Sequence, residues 1–418
     1  MRSTTSPAGT LPWLATWLLV GLAGVACSAA PATSSGGSGD TAQTQDTGSA
    51  DVATADNSDA SADDAGSGDA SSADAADAAD AADSAQPDVP AAVPYDFTAH
   101  APWYSCDGEA LPKEAVVVDG FVQAEQSFGK QDKRTISIDV DFPTSGSWGQ
   151  VALEFKLECP ANGLCDHWDR AGSVQLVLNP EAPVAEQQSV EIARHVTPYR
   201  MGMCQYIDIT GLAPLLKGKR RLTSFIDTWV GPGHDQGEGW RVSTRFVFYP
   251  GPAATPTQVV NVWGRRSITV GEIEADKNVD AQVEPFVFTP PASATKVVAH
   301  LITTGHSFGN TGNCAEFCKM RHDLLVNGTT YAHNPWRSDC GKNPVANQLG
   351  TWTYARNGWC PGSIVVGERF DITEALAMGK INTLDFDILL GNGALYDNVK
   401  PVDLLPYTLV SLKLYVYE

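Results

Sequence analysis

Two carboxylates in this chain sit in or beside short cysteine-bracketed segments. The first lies in Glu158-Cys159-Pro160-Ala161-Asn162-Gly163-Leu164-Cys165-Asp166-His167-Trp168-Asp169-Arg170, where a strand-like run gives way to a small loop and an acid emerges between Trp and Arg. A neighbouring Arg170 favours the charged form of Asp169, while desolvation against Trp168 favours the neutral form, an opposition that tunes a carboxylate for proton transfer. On spacing alone, an ion-paired Asp closing a turn accounts for the same residues. The second segment is Cys314-Ala315-Glu316-Phe317-Cys318. A disulfide across it holds Glu316 near the tip of a tight loop with little conformational freedom, which positioned catalysis needs. The plain alternative is a stapled surface turn with an incidental Glu.

A third cluster runs from Asn334-Pro335-Trp336-Arg337 to Gly350-Thr351-Trp352-Thr353-Tyr354-Ala355-Arg356-Asn357-Gly358-Trp359-Cys360-Pro361-Gly362. Trp faces stack on sugar rings, and Arg and Asn hydrogen-bond hydroxyls. One Trp is as easily a core residue, but several beside Arg in Gly-rich loops favour a polar ligand.

Such side chains need elements to hold them, and the elements read as strands. Val151–Glu158 alternates apolar and non-apolar residues, the period of a half-buried strand. Thr135–Phe142, Ser173–Leu178, Ser243–Tyr249 and Val297–Thr303 are shorter candidates, and Leu412, Leu414 and Val416 alternate in a last strand. Gly, Pro, Asn and Asp clusters separate them, as in an all-β sandwich. Helix signals are few; Asp371–Gly379 has an N-cap candidate and a Gly stop, enough for two turns. Gly251-Pro252-Ala253-Ala254-Thr255-Pro256 separates two strand-rich halves, so the expected domains are 94–253 and 254–418, each an antiparallel sandwich of the jelly-roll type.

The 418-residue chain opens with Arg2, an apolar stretch from Leu11 to Ala26 and small residues before Cys27, the pattern of a secretory leader over 1–26. Cys27 at the cut site fits a lipobox cysteine that is acylated, with Gly24 where a Leu is usual; ordinary secretion is the alternative. No later apolar run is long enough to span a bilayer as a helix. Residues 27–93 read as a disordered tether: 28–93 carry 13 Asp, no Glu and no Lys or Arg, with too little apolar surface to offset chain entropy. The formal charge of −21 falls to −9 over 94–418, and an acidic domain without basic runs excludes nucleic acid as a partner. Nine cysteines minus a lipidated Cys27 leave eight for an exported domain to pair. Cys159–Cys165, Cys314–Cys318 and Cys340–Cys360 suggest themselves. Cys106 and Cys204 remain and make a fourth pair, although spacing does not establish connectivity. A zinc site from Cys314, Cys318 and His322 is a minor alternative.

Cys159-Pro160…Cys165-Asp166-x-Trp168-Asp169-Arg170, Thr197-Pro198-Tyr199, Asp227-Thr228-Trp229, Thr304-Gly305-His306, Cys314-Ala315-Glu316-x-Cys318 and Gly358-Trp359-Cys360-Pro361-Gly362, in this order, resemble the peptide-N-glycosidase F family. The similarity is good from about 130 to 370 and extends over 94–418. It implies two side-by-side jelly rolls with a site in the cleft between them, and an amidase that hydrolyses the bond between an N-linked glycan and its asparagine. It implies Asp169 as main catalytic residue, assisted by Glu316 and by Asp227, with Trp168, Arg170, Trp229, Arg356 and Trp359 binding substrate. Asp169 would activate a water, Arg170 or Arg356 would steady the oxyanion, and no metal or organic cofactor is required. The expected partners are an N-glycoprotein or glycopeptide and, through Cys27, a membrane of the cell envelope. Three positions depart from the family: Asp227 replaces a Glu, Phe317 a Trp, and His167 an acid. The first two motivate a rival reading, a glycan-binding protein without catalysis. A copper monooxygenase would need ligands among Met201, Met203, His300, His306, His322 and His333. A glycosidase would use Asp169 and Glu316 as paired carboxylates.

Overall fold

The structure, a computed structural model, describes residues 93–106, 113–161, 163–252, 255–271, 278–399 and 406–418. The leader, Cys27 and the tether up to residue 92 lie outside the described residues. The described residues all belong to one contact unit, 84–418.

Alternation in the sequence produces antiparallel sheets, and the sheets pair into two jelly-roll sandwiches. In the first, one sheet runs in the order Val116–Asp119, Trp240–Pro250, Trp148–Glu158, Met203–Asp208, with Ala124–Gln126 also on Trp240–Pro250. The facing sheet runs Ser363–Val365, Ser189–Val196, Ala171–Val177, Gly218–Ile226, Thr135–Phe142. Val151, Leu153, Phe155 and Leu157 point from the first sheet onto Val174, Leu176 and Leu222 of the second, with Trp240 and Phe246 closing the core. The second sandwich packs Gln258–Thr269, Tyr407–Tyr417, Lys296–His306 and Glu368–Asp371 against Phe286–Phe288, Asn382–Leu390, Met320–Val326 and Thr329–His333. Leu301, Leu324, Phe386, Leu412 and Leu414 fill that core. Every predicted strand is present. Ser363–Val365 comes late in the chain but pairs with Ser189–Val196 of the first sandwich, tying the two together.

Three sequence expectations change in the folded chain. Trp148–Glu158 is not simply half-buried: Ala152 is buried on the outer face, under Tyr95 of the segment 93–106. That segment is pinned to Met203–Asp208 by Cys106–Cys204 and by bridge pairing of Ser105 with Gln205. The last strand, Tyr407–Tyr417, is buried on both faces, Ser411 and Lys413 included. Its polar side meets Glu191 of the first sandwich, where Ser411 Oγ donates to Glu191 Oε2 at 2.5 Å and Lys413 Nζ to the Glu191 carbonyl at 2.8 Å. The helix predicted over Asp371–Gly379 is a single 3-10 turn, Thr373–Ala375. Asp371 is held in a strand opposite Val298, and the Thr373 hydroxyl donates back to it. Pairing with Lys296–His306 outweighs the helical signal.

All four expected disulfides are present: Cys106–Cys204, Cys159–Cys165, Cys314–Cys318 and Cys340–Cys360. Four paired cystines fit an exported chain. No helix among the described residues is long and apolar enough to cross a membrane.

Candidate active site

Strand register decides which loops meet. In the first sandwich Ala171 lies opposite Val196 and Gly172 opposite Ile226, so one sheet edge carries Asp166–Arg170, Thr197–Tyr199 and Asp227 together. Ser363 also pairs with Val196, which brings Trp359–Gly362 to that edge. In the second sandwich His306 lies opposite Tyr407, so the loop after His306, which carries Glu316, opens beside the start of the last strand. Between these ends lies a cleft of about 650 Å³ lined by residues of both sandwiches, among them Asp169, Asp227 and Glu316.

Arg356 organises the cleft floor. It is fully buried. Its Nε donates to Glu316 Oε1 at 3.1 Å, and a terminal nitrogen stands 3.5 Å from Asp169 Oδ2. Its remaining N–H groups reach the carbonyls of Thr351 (2.8 Å) and Tyr354 (3.0 Å) and the Thr351 hydroxyl (2.7 Å). The guanidinium lies over the rings of Phe317 and Trp359, 5.0 and 4.7 Å from their centroids. Two acids therefore share one cation whose other donors are committed.

The Glu316 loop is held from below. Asn357 donates its backbone N–H to the Glu316 carbonyl, and its amide nitrogen to the carbonyls of Ala315 and Cys318. Gly305 leaves room for this approach, because a Cβ there would meet the Ala315 carbonyl at 2.4 Å. Ser307, at a left-handed φ of 84°, turns its N–H to Glu316 Oε2 at 3.2 Å. A non-glycine residue in that region carries strain that surrounding contacts must over-determine. Burial, then the Asp169 charge, pushes the Glu316 carboxyl up to about 7, against the pull of Arg356. Burial also raises Asp169 above the usual carboxylate range, while the Tyr199 hydroxyl, 2.7 Å from Oδ2, and Arg356 pull it down. Two carboxylates on one arginine titrate as a pair.

Asp169, Glu316 and Arg356 thus come together, and the Arg170 charge favours the ionised form of Asp169 as expected, but Arg170 makes its hydrogen bond to another acid. Its Nε donates to Asp166 Oδ2 at 2.8 Å, and Asp166 is fully buried. Asp166 also accepts from the Thr228 hydroxyl (2.7 Å) and the Trp168 backbone N–H (3.0 Å). It therefore sets the course of the segment that carries Asp169. Trp359 lines the cleft but is only 2% exposed; it donates its indole N–H to the Gly305 carbonyl and stacks on His306. It supports the floor rather than offering a free face. Trp168 is exposed at the rim, its indole N–H on Gln236 at 3.2 Å. Asp227 is the most open of the three acids, its side chain 40% exposed against 17% for Asp169 and 11% for Glu316. It stands 3.8 Å from Arg134. Arg134 in turn lies over Trp229 (4.4 Å) and Phe128 (4.7 Å) and bonds Asp132 at 2.6 and 2.9 Å.

Sequence reasoning missed Asp166, Tyr199 and Arg134 as site-building residues. The i, i+4 spacing of Asp166 and Arg170 was a visible signal for the first. Tyr199 stood in a quoted motif without a role. Nothing local marks Arg134.

Of the histidines weighed for copper, only His322 and His333 are neighbours, their rings 6.3 Å apart across paired strands. His300 bonds the Val366 carbonyl and Tyr415, His306 contacts Thr304, and His322 contacts Thr303. Burial lowers the pKa of each, and of His333. Among the described residues no three His, Cys, Asp or Glu side chains gather as a metal site, and Cys314 and Cys318 are tied to each other rather than to zinc.

Residues 274–396 match the family model described as Peptide-N-glycosidase F, C terminal. The peptide-N(4)-(N-acetyl-beta-D-glucosaminyl)asparagine amidase F of Elizabethkingia miricola is 26% identical over 275 residues, covering 62% of this chain and 73% of that protein. The solved structure of PNGase F, a glycosylasparaginase from Flavobacterium meningosepticum, is similar with a TM-score of 0.61 at 22% identity, over 73% of this chain and 96% of that one. The structure of PNGF-II is similar with a TM-score of 0.56 at 18% identity, over 73% and 65% of the two chains. Three of the six motifs, those at 304–306, 314–318 and 358–362, lie within the residues that the family model matches, and the resemblance to that family extends to sequence and fold.

Proposed function

We propose that this chain hydrolyses the amide between an N-linked glycan and the asparagine that carries it. The observation that carries the proposal is the buried Arg356 holding Asp169 and Glu316 at the floor of a cleft between two sandwiches. A carboxylate pair sharing one cation can hold one proton near neutral pH; we assign it to Glu316, which burial and the Asp169 charge push up to about 7. Asp169 is assigned the general-base role: burial raises its carboxyl, and the Tyr199 hydroxyl and the Arg356 charge beside it oppose that rise. It takes a proton from water as the water oxygen bonds to the Asn side-chain carbonyl carbon. Glu316 protonates the glycan nitrogen as the C–N bond breaks, leaving a glycosylamine and an Asp residue. Arg356 has its donors committed, so the developing oxyanion falls to Arg170, which lines the cleft and is braced by Asp166. Asp227, Trp229 and Trp168 grip the innermost sugars from the open side. The proposal also takes 94–253 and 254–418 as the two domains, and Cys27 as a lipid attachment point that holds the enzyme at the cell envelope.

The deciding experiment is incubation with a denatured N-glycoprotein in heavy-oxygen water, followed by mass spectrometry of the peptides. Asp carrying the label at former glycan sites is the expected result. Asn retaining a single sugar would indicate a glycosidase and overturn the amidase reading. Intact glycopeptides that nevertheless bind would leave only a lectin.

A further inference from the structure

The two walls of the cleft differ in chemistry. On the first sandwich, Trp168 lines the cleft, 48% exposed, together with Arg170 and Asp227, and beyond that lining Trp229 is 51% exposed with Arg134 over its ring. Rings interleaved with hydrogen-bonding groups suit sugars. On the second sandwich, Phe308, Phe317 and Tyr354 form a row of edge-on contacts, each neighbouring pair 6.4 Å apart. Phe308 is 68% exposed and Tyr354 57%, large rings left in water. Two polar groups beside them are already engaged: Asn313 Oδ1 takes the Gly309 N–H, and the Thr351 hydroxyl is held by Arg356. Phe317 is the middle of the row and lies under Arg356, with Phe308 and Tyr354 on either side of it.

We infer that the Phe308–Phe317–Tyr354 row is a subsite for the polypeptide part of the substrate, taking an apolar side chain that flanks the glycosylated asparagine. This rests on the proposed amidase reading and deepens it. A scissile amide over Asp169 and Glu316 has glycan on one side and peptide on the other. The polar-aromatic wall takes the glycan, which leaves the apolar wall facing the peptide. Partial burial of one such side chain against two or three rings is worth about tenfold in affinity. The row therefore favours extended glycopeptides rich in apolar residues near the glycan, as an unfolded chain presents, over those flanked by Gly and Ser.

The test uses two synthetic glycopeptides with the same glycan, one with Leu and Phe beside the asparagine and one with Gly and Ser. Cleavage and calorimetric binding are measured for the parent protein and for Phe308→Ser and Tyr354→Ser, both exposed positions where folding is not at stake. The parent is expected to prefer the apolar-flanked peptide about tenfold in kcat/KM, through KM. That preference is expected to collapse toward unity in each variant, while the affinity for the free glycan stays as in the parent. Equal kcat/KM for the two peptides in the parent overturns the subsite and leaves the amidase intact. A variant that weakens free-glycan binding as much as peptide binding also overturns it, by moving the row to the sugar side. Tight, variant-sensitive binding of the apolar-flanked peptide without cleavage of either supports the subsite and sinks the amidase.

Discussion

Two buried charge clusters lie near the seam between the sandwiches, and they differ in one ratio. At the cleft floor two carboxylates, Asp169 and Glu316, share one arginine, Arg356. Deeper in the seam one carboxylate, Glu191, meets three cations: Arg194 at 2.7 and 2.9 Å, Lys413 through its carbonyl at 2.8 Å, and Arg265 at 3.9 Å. Burial pushes all three acids toward the neutral form. At the floor burial wins and Glu316 rises to about 7. At the seam the cations outweigh burial and hold Glu191 below the usual range. An acid in excess over its cation can exchange a proton near neutral pH; an acid outnumbered by cations stays charged and serves as a structural tie. Arg194 extends that tie to the carbonyls of Ile302 and Leu409 in the other sandwich.

The comparison breaks first at Asp169. Asp169→Asn keeps size and some hydrogen bonding but removes the base, and turnover on a glycopeptide is expected to fall by about 10²–10⁴-fold while glycan binding persists. A variant that turns over at the parental rate sinks the assignment. One that loses binding and folding together returns Asp169 to an ion pair closing a turn.

Glu191→Leu tests the other cluster. It leaves Arg194 and Arg265 without their carboxylate, while Lys413 keeps its bond to the backbone carbonyl of residue 191, and breaking one side of a buried pair costs about 3–5 kcal/mol. Denaturant unfolding measures it. A loss below about 1 kcal/mol would show that water already reaches the seam.

The pH dependence sharpens the contrast. Glu316 has a folded pKa of about 7, above its ordinary value of 4.5. Its contribution to stability is complete below about 4.5 and is lost as pH rises through about 7. Glu316→Gln has no such loss, so its melting temperature relative to the parent is expected to climb between pH 5 and 8 and then level. A flat difference would mean the carboxyl is not raised. The Asp169 charge contributes to that rise, so Asp169→Asn should bring the Glu316 titration, followed by carboxyl infrared absorption, to lower pH.

The smallest effect is expected at Arg134. Its stacking on Trp229 is a cation–π contact worth about 0.5–2 kcal/mol, and it is the nearest cation to Asp227. Arg134→Ala should raise KM several-fold with kcat little changed, and Arg134→Lys should recover part of the loss. A change confined to kcat would contradict a role in holding the sugar-side wall.

Much of the fold was legible because alternation with period two reports directly on sheet faces. It misled only where a third layer covers the outer face: Ala152 under Tyr95, and Ser411 and Lys413 against Glu191. Asp169, Glu316 and Arg356 were legible as motif residues, whereas the partner of Arg170 was not. Adjacency suggested Asp169, but the turn after Cys165 points the guanidinium to Asp166.

Residue type and order by themselves determined an all-β chain, three short-range cysteine pairs that fit export, and the chemistry of two acids, because side-chain period, cysteine spacing and ionisable groups are local properties; the fourth pair, Cys106–Cys204, spans 98 residues and needed the fold. Tertiary structure alone decided which acid meets which cation. Strand register brings residues 169, 199, 316 and 356 to one cleft and residues 191, 194, 265 and 413 to one seam. Burial then multiplies small differences in charge ratio into opposite pKa shifts. Those shifts depend on distances across the fold, which no spacing along the chain specifies.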